Sequence, residues 1–433
     1  MDKSGGSIPD SGRTARRGRT DGLYYGWVIV GVSFITMAFH MSATFSFSLF
    51  QVPLIQEFGW SRGALGGAFA VSMSLYAICS PKAGSILERK GPRALIPWGS
   101  VSIGLGLMLG FFISSLWHVY VFIGVMIGVG IAMSGFVTHG ALLPRWFFRN
   151  RGLAAGIALS GIGIGSFILM PTIERLIAYF GWRYAYLIFG ASILLIILPL
   201  KLLLLRNHPS DVGQNIDGAS DEEAAGFPKP PATHSQKVGG VLRQVMREKN
   251  FWALLILVFV IGLNNNSIWS QLQIFFVDAK FSTAFGAFVF GFTGAIRILG
   301  SVVMGWAGDR ISHKRAQAIA LFLSGLGVLI LLSVPHMGNG VVFAFLFAAF
   351  YGFGVGGMST SYAAMCADAY GGRSFGVIIG LLEIFFGLGG FIGPPMAGFM
   401  FDYTGSYVLP FCIVVIFQAV ALLVCHFVFS TEK

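Results

Sequence analysis

Two charged residues stand inside runs that otherwise belong in lipid. Arg297 interrupts GFTGAIRILGSVVMGWAGDR (Gly291–Arg310), and Glu383 interrupts GVIIGLLEIFFGLGG. A charge near the centre of a bilayer costs ~3 kcal/mol on insertion scales, so each needs a partner, a wet cavity or a ligand. At 1.5 Å per residue, Arg297 lies ~12 Å inward of Gly305, and Glu383 lies ~12 Å inward of Phe375. An arginine side chain spans roughly half that distance, so Arg297 is expected to face the interior of a helix bundle rather than to snorkel. Its planar fork binds a carboxylate bidentately and cannot shed its charge, which is the chemistry of an anion anchor. A structural ion pair with Glu383 at equal depth is the plainer role. The two coexist if Glu383 holds Arg297 only while the site is empty. Protonation of Glu383 would then free Arg297 for an incoming anion, so that one proton accompanies it.

Further polar residues sit in apolar runs. Ser33, Thr36, His40 and Thr44 recur at steps of three and four, a stripe on one helix face, with His40 near mid-membrane as a ligand or proton carrier. Asn264, Asn265 and Asn266 are adjacent and cannot all face one way. Asn265 and Asn266 are the expected substrate contacts, the remaining amide bonding between helices. Tyr351 is a candidate hydroxyl donor, as are Ser134 and Thr138. Nothing points to a cofactor: there is no phosphate-binding glycine loop, no HExxH and no paired-cysteine metal site, and no nucleophile–base pattern that would suggest an enzyme.

These residues must be positioned by membrane helices. The chain has 433 residues, of which 55% are hydrophobic and only 11% charged, with mean hydropathy +0.76. Soluble domains carry about 25% charged residues, whereas runs of ~20 apolar residues span a bilayer. Twelve such runs are expected, giving an all-α integral membrane protein in two pseudo-symmetric six-helix bundles. The expected organisation is a cytoplasmic tail over 1–24, a first bundle over 25–205, a polar cytoplasmic linker over 206–249 and a second bundle over 250–430. The linker is rich in Pro, Gly and charge and reads as flexible. Of 29 Lys and Arg, only Arg62, Arg175, Arg183 and Lys280 fall outside and Arg297 within the membrane. The net charge of +11 therefore encodes topology, with both termini cytoplasmic, rather than nucleic-acid binding. The 59 glycines suit close helix packing. Tyr24, Tyr25, Trp27, Trp60, Trp117, Trp146, Trp182 and Tyr184 at span ends read as interfacial anchors.

The halves repeat. GSILERKGPRA begins at Gly84 and GWAGDRISHKRA at Gly305, 221 positions later, and at the same offset Trp60–Ser61 meets Phe281–Ser282. A duplicated six-helix unit with a central site follows. Glu88, Arg89 and Arg93, with Asp309, Arg310 and Arg315, are expected to form charge networks that close the cytoplasmic side and break as the halves rock.

Gly84–Arg93 and Gly305–Arg315 resemble the G-x-L-a-D-R-x-G-R-K loop of the major facilitator superfamily, with Glu88 in place of the usual Asp in the first copy. Asp21-Gly-Leu-Tyr-Tyr-Gly-Trp27 is similar to the [D/E]-G-G-x-G-W signature of its monocarboxylate transporter branch. Trp146-Phe-Phe-Arg-Asn-Arg-Gly-Leu-Ala-Ala-Gly156 resembles the fifth-span motif of that branch and of the related oxalate–formate antiporters. The resemblance implies an eighth-span arginine that contacts a substrate carboxylate, here Arg297. Relatives place an Asp one turn earlier, where Thr293 stands, and a first-span lysine, where Phe45 stands. Oxalate carriers add an eleventh-span lysine, where Phe386 stands. One membrane cation suits one carboxylate.

The expected function is secondary active transport of a small organic monocarboxylate, lactate- or pyruvate-like, with a proton, by alternating access in the cell membrane. The partners are that anion, the proton and the lipid bilayer, with no nucleic acid, no metal and a monomeric carrier. An oxalate/formate-like organic-anion antiporter and a non-transporting membrane receptor are the alternatives.

Overall fold

The computed structural model describes residues 24–220, 245–370 and 375–427. The expected N-terminal tail, the middle of the linker and the extreme C-terminus lie outside these residues. Among them, eleven helical stretches are long and apolar enough to cross a membrane. The fifth, Arg151–Leu204, runs for 54 residues and is broken at Gly181, whose backbone (φ 80°, ψ 160°) is not helical. Numbering its two arms separately gives α1 (Gly26–Phe58), α2 (Arg62–Lys90), α3 (Pro92–Phe112), α4 (Leu116–Arg145), α5 (151–180), α6 (182–204), α7 (Lys249–Asp278), α8 (Thr283–Ile311), α9 (His313–Ser333), α10 (Gly340–Tyr370), α11 (Phe375–Thr404) and α12 (Val408–Phe427). The described residues include no strand. The protein is all-α.

The sequence repeat has a geometric counterpart. Ser61 caps α2 with φ −68°, ψ 151°, its Oγ accepting from Ala64 N. Ser282 caps α8 with φ −67°, ψ 152°, accepting from Phe285 N. The same helices end at Gly91 (φ 81°) and Ser312 (φ 106°), again 221 positions apart. Glycine takes that conformation freely, whereas Ser312 carries a strained backbone that its side chain helps hold by accepting from Arg315 N at 3.4 Å.

The N-terminal half (24–220) and the C-terminal half (245–427) meet along α2–α11, α5–α8 and α1–α7. Small residues set the approach. A Cβ on Gly163 of α5 would collide with the Gly294 carbonyl of α8, and one on Gly66 of α2 would lie 2.7 Å from the Pro394 carbonyl of α11. One cavity-facing helix is interrupted. α1 runs on through Ser46, whose backbone stays helical (φ −60°, ψ −20°), whereas α4 breaks at Gly135 (φ −94°, ψ −153°), where a Cβ would stand 2.5 Å from the Ile131 carbonyl.

Three expectations need correction. Arg297 is not the single membrane-embedded cation, because Lys201 of α6 is fully buried as well. Lys201 lies three residues from the end of α6 at Leu204, and by position alone it reads as an interfacial lysine. The linker is not flexible throughout: residues 206–220 dock on the N-terminal half. Gln214 accepts from Tyr25 N at 2.9 Å, Asn207 from Arg93 N at 3.0 Å, and Asp217 from the Phe148 and Arg149 amides at 2.9 and 2.7 Å. Nor are all the span-end aromatics interfacial. Trp146 is fully buried, Tyr24 donates to its carbonyl at 2.5 Å, and Tyr25 and Phe147 pack around it. The two signature stretches around Trp27 and Trp146 are thus the two sides of one small core. Trp182 is buried too and donates to Glu57 at 2.7 Å.

Candidate functional site: a central cavity between the halves

The cavity, about 820 Å³ including its open mouth, lies where both halves contribute walls. Most of that wall is apolar. Met41 and Phe45 come from α1, Met73 from α2, Ile131 and Phe136 from α4, Ile162 from α5 and Phe386 from α11. Phe136 is placed by the α4 break that directly precedes it. The polar lining is sparse: Thr44, Tyr76, Asn265, Asn266, Arg297, Ser359, Tyr362 and Glu383. Arg297 is its only cation and Glu383 its only acid among the described residues.

Arg297 enters from the middle of α8. α10 passes so close that a Cβ on Gly356 would collide with the Arg297 carbonyl, and this brings Ser359, one turn on, beside the guanidinium. Arg297 Nη2 donates to Ser359 Oγ at 3.4 Å, and Ser359 Oγ donates its own proton to Val355 O at 3.0 Å. No carboxylate lies within 4.0 Å of the guanidinium among the described residues. Four of the five donors of the fork therefore remain uncommitted among the described residues.

Glu383 shares the cavity but bonds elsewhere. Tyr362 of α10 donates to Oε1 at 2.8 Å, and Tyr76 of α2, from the opposite half, donates to Oε2 at 3.4 Å. The carboxyl is therefore tied to a residue of each half. The depth argument that put Arg297 and Glu383 on one level places both at the cavity without joining them.

Asn265 and Asn266 line the cavity. Asn266 Nδ2 donates to Gly262 O at 2.8 Å, while the buried Asn265 Oδ1 has no partner. Asn264 turns into the C-terminal half, donating to Ser324 at 3.1 Å. His40 and Tyr351 do not reach the cavity. His40 is enclosed between α1, α3, α4 and α6, and Tyr351 donates to the Asn264 carbonyl at 3.3 Å with its ring on Phe347. The polar stripe of α1 meets the cavity only at Thr44, one turn beyond His40, and α10 is apolar on nearly every face, so spacing alone could not set how far the cavity runs along α1 or which way Tyr351 points. Sequence reasoning missed Tyr76, Ser359 and Tyr362. The last two lie in the stretch YGFGVGGMSTSY, whose hydroxyls were the available signal.

Among the described residues, the bonds of the expected loop networks each stay within one half in this conformation. Asp309 bonds His313 at 3.3 Å, and His313 bonds Asp368 at 2.7 Å. Arg310 lies over Trp306 at 4.2 Å, and Arg315 donates its amide to Ser312. Arg93 donates to Leu202 O at 3.1 Å, Arg89 is exposed, and the Glu88 side chain lies outside the described residues. Apart from the Tyr76–Glu383 bond at the cavity, the inter-half side-chain bonds among the described residues lie at the other end of the bundle. Arg62 of α2 forms an ion pair with Asp278 of α7, Nη2 to Oδ1 being 2.9 Å, and also donates to Tyr407. The Arg62 guanidinium stacks 3.7 Å from the Phe401 ring centroid. Asp402 of α11 accepts from the Arg62 and Gly63 amides at 3.0 and 2.8 Å, and Thr283 of α8 donates to Glu174 of α5 at 2.6 Å. Burial pushes the Tyr407 phenol up, which keeps it a neutral hydrogen-bonding group. The halves are latched at the Arg62 end.

Comparison with known proteins agrees with this architecture. The Major Facilitator Superfamily description matches residues 32–381 and 297–433. Monocarboxylate transporter 12 of Mus musculus is 26% identical over 402 residues, covering 89% of this chain and 82% of that protein. Monocarboxylate transporter 13 of Bos taurus is 25% identical, covering 90% and 86%, and monocarboxylate transporter 11 of Homo sapiens 26%, covering 89% and 79%. Among solved structures, a bacterial homolog of the human lysosomal transporter Spinster, in an inward-facing and unoccupied conformation, superposes with a TM-score of 0.72. It is 17% identical over 95% of this chain and 98% of that one. With two halves built on one repeat around a cavity, and a family match running through both, the chain belongs to the Major Facilitator Superfamily and is a multi-pass membrane transporter, not an enzyme.

Proposed function

We propose that the protein carries a small organic monocarboxylate, lactate- or pyruvate-like, together with a proton across the cell membrane. The observation that carries this reading is the Arg297 guanidinium, facing a largely apolar cavity with, among the described residues, one long hydrogen bond and no acid partner. Buried cations left without a counter-charge are costly, and a substrate carboxylate supplies one with fork geometry. Ser359, Asn265 and Asn266 border the same space and offer further polar contacts. Phe45, Phe136, Met73 and Phe386 suit a short apolar tail and leave no second cation for a dicarboxylate. The names of the similar transporters point the same way.

Glu383 is the proton carrier in this scheme. As a carboxylate it accepts from Tyr76 and Tyr362, and when protonated it loses one acceptor site and loosens the Tyr76 tie between halves. Binding of proton and anion would thereby relax the contact that must break for the cavity to change sides. The halves, 25–205 and 250–430, rock about the cavity in a monomer. The basic loops with Glu88, Arg89, Arg93, Asp309, Arg310 and Arg315 face the cytoplasm with both termini, and they approach one another when the Arg62 latch opens.

Uptake of labelled lactate, pyruvate, formate and oxalate into proteoliposomes, with and without an inward proton gradient, tests the proposal. The expected result is gradient-driven accumulation of a monocarboxylate and no accumulation of oxalate. Oxalate–formate exchange indifferent to the gradient would assign an antiporter, and binding without flux of any of the four a receptor.

A further inference from the structure

A second cluster of titratable groups lies inside the N-terminal half, behind the cavity wall. Lys201 of α6 and His40 of α1 are both fully buried. Lys201 Nζ donates to Ser100 Oγ of α3 at 2.6 Å and stands 3.3 Å from His40 Nε2. Ser100 Oγ is in turn 3.1 Å from the same imidazole nitrogen. On the other side of the ring, His40 Nδ1 is 2.7 Å from Ser134 Oγ of α4.

The direction of these bonds follows from the proton count. Nε2 faces the Lys201 amine and the Ser100 hydroxyl, both donors, so its lone pair is the acceptor there and Nδ1 carries the hydrogen. Ser134 Oγ then accepts from Nδ1 and keeps its own proton for Gly130 O, at 2.9 Å. Ser100 accepts from the ammonium and has its own proton free for Nε2. Lys201, Ser100 and His40 thus make a continuous donor–acceptor chain, N–H to O–H to N.

No carboxylate is ion-paired with Lys201 among the described residues. The remaining titratable group that faces the chain is His139 of α4, whose Nδ1 bonds Gly135 O at 3.0 Å. α3 contributes only Ser100. An amine and an imidazole 3.3 Å apart in a buried site cannot both hold a positive charge without strong repulsion, so the pair binds one excess proton in place of two.

We propose that Lys201, Ser100 and His40 form a proton-binding site separate from Glu383, in which one proton is shared between the amine and the imidazole. Transfer breaks an N–H bond of Lys201 as its proton joins Ser100 Oγ, while the Ser100 hydroxyl proton forms the new N–H bond at His40 Nε2. Lys201 is left as the neutral amine and His40 as the imidazolium. The site adjoins the α4 break, since Ser134 precedes Gly135 and Phe136, on the far side of it, lines the cavity.

The test needs no substrate and stands apart from the monocarboxylate reading. Protein labelled with 15N-histidine is placed in nanodiscs, and the His40 resonances are assigned by their loss in His40→Gln. The wild type is expected to show the Nδ1–H tautomer. Lys201→Met, folded by size exclusion and thermal melting, is expected to bind the His40 proton at least ~10-fold more tightly once the neighbouring amine is gone. Lys201→Gln, which keeps a hydrogen-bonding group, serves the same purpose if the methionine variant does not fold. A wild-type Nε2–H tautomer overturns the proposal, as does an unchanged His40 titration in either folded variant. If exchanging chloride for gluconate moves the wild-type His40 resonances, a bound anion balances Lys201 and the shared proton is refuted.

Discussion

Arg297 and Glu383 were legible because a charge inside an apolar run has few innocent explanations, and Asn265 and Asn266 because adjacent amides in a span must go somewhere. His40 and Tyr351 were legible as unusual but not as facing away from the cavity: the stripe of α1 gives a phase without saying that the cavity starts only at Thr44, and α10, apolar nearly all round, gives none. Tyr76 and Tyr362 were hidden because tyrosine in a membrane run reads as packing, and their partner is recognisable only once three helices meet. If Arg297 anchors a carboxylate, Arg297→Lys keeps the charge but loses the fork and should weaken apparent substrate affinity on the order of tenfold. Glu383→Gln should preserve substrate-for-substrate counterflow while abolishing accumulation driven by a proton gradient. Parallel measurement of the two fluxes checks this, and retained gradient-driven accumulation would remove Glu383 from the coupling.

At the scale of helices, length and apolarity located the spans, because ~20 residues are needed to cross a bilayer, and eleven helical stretches among the described residues meet that length, the fifth holding two of the twelve expected runs. The duplicated offset also had a physical basis that the letters only hinted at. Ser61 and Ser282 are equivalent N-caps, and Gly91 and Ser312 are equivalent turns. Ser61→Ala and Ser282→Ala should therefore each cost about 1 kcal/mol, nearly equally, in thermal unfolding. Less legible was the break in α4. Gly135 looks like any other glycine in a dense stretch until the Ile131 carbonyl is seen where its Cβ would be. Gly135→Ala should lower the melting temperature and reshape the wall at Phe136. An unchanged melting temperature would show that the break is not needed.

Across the whole molecule, the positive-inside pattern drew attention to the basic loops, yet among the described residues the bonds that join the halves lie at the cavity, through Tyr76 and Glu383, and at the opposite end. Arg62, Asp278 and Asp402 gave no signal because each is an ordinary charge at a span boundary and their proximity arises only when α2, α7 and α11 converge. Arg62→Gln should loosen this latch. A cysteine placed at Phe45, on the cavity wall, should then react faster with an impermeant thiol reagent applied from the Arg62 side, in a background lacking the native cysteines. Reactivity equal to that of the same cysteine with Arg62 intact would show that the Arg62 network does not hold the state described. The most direct test of the central claim is counterflow, in proteoliposomes, of whichever of the four labelled anions the wild type carries, compared with Arg297→Gln of matched melting temperature. A loss of affinity on the order of 100-fold or of all flux is predicted, as expected for removal of a bidentate charged contact. Flux with unaltered affinity in the folded variant would contradict the account and leave Arg297 a structural charge.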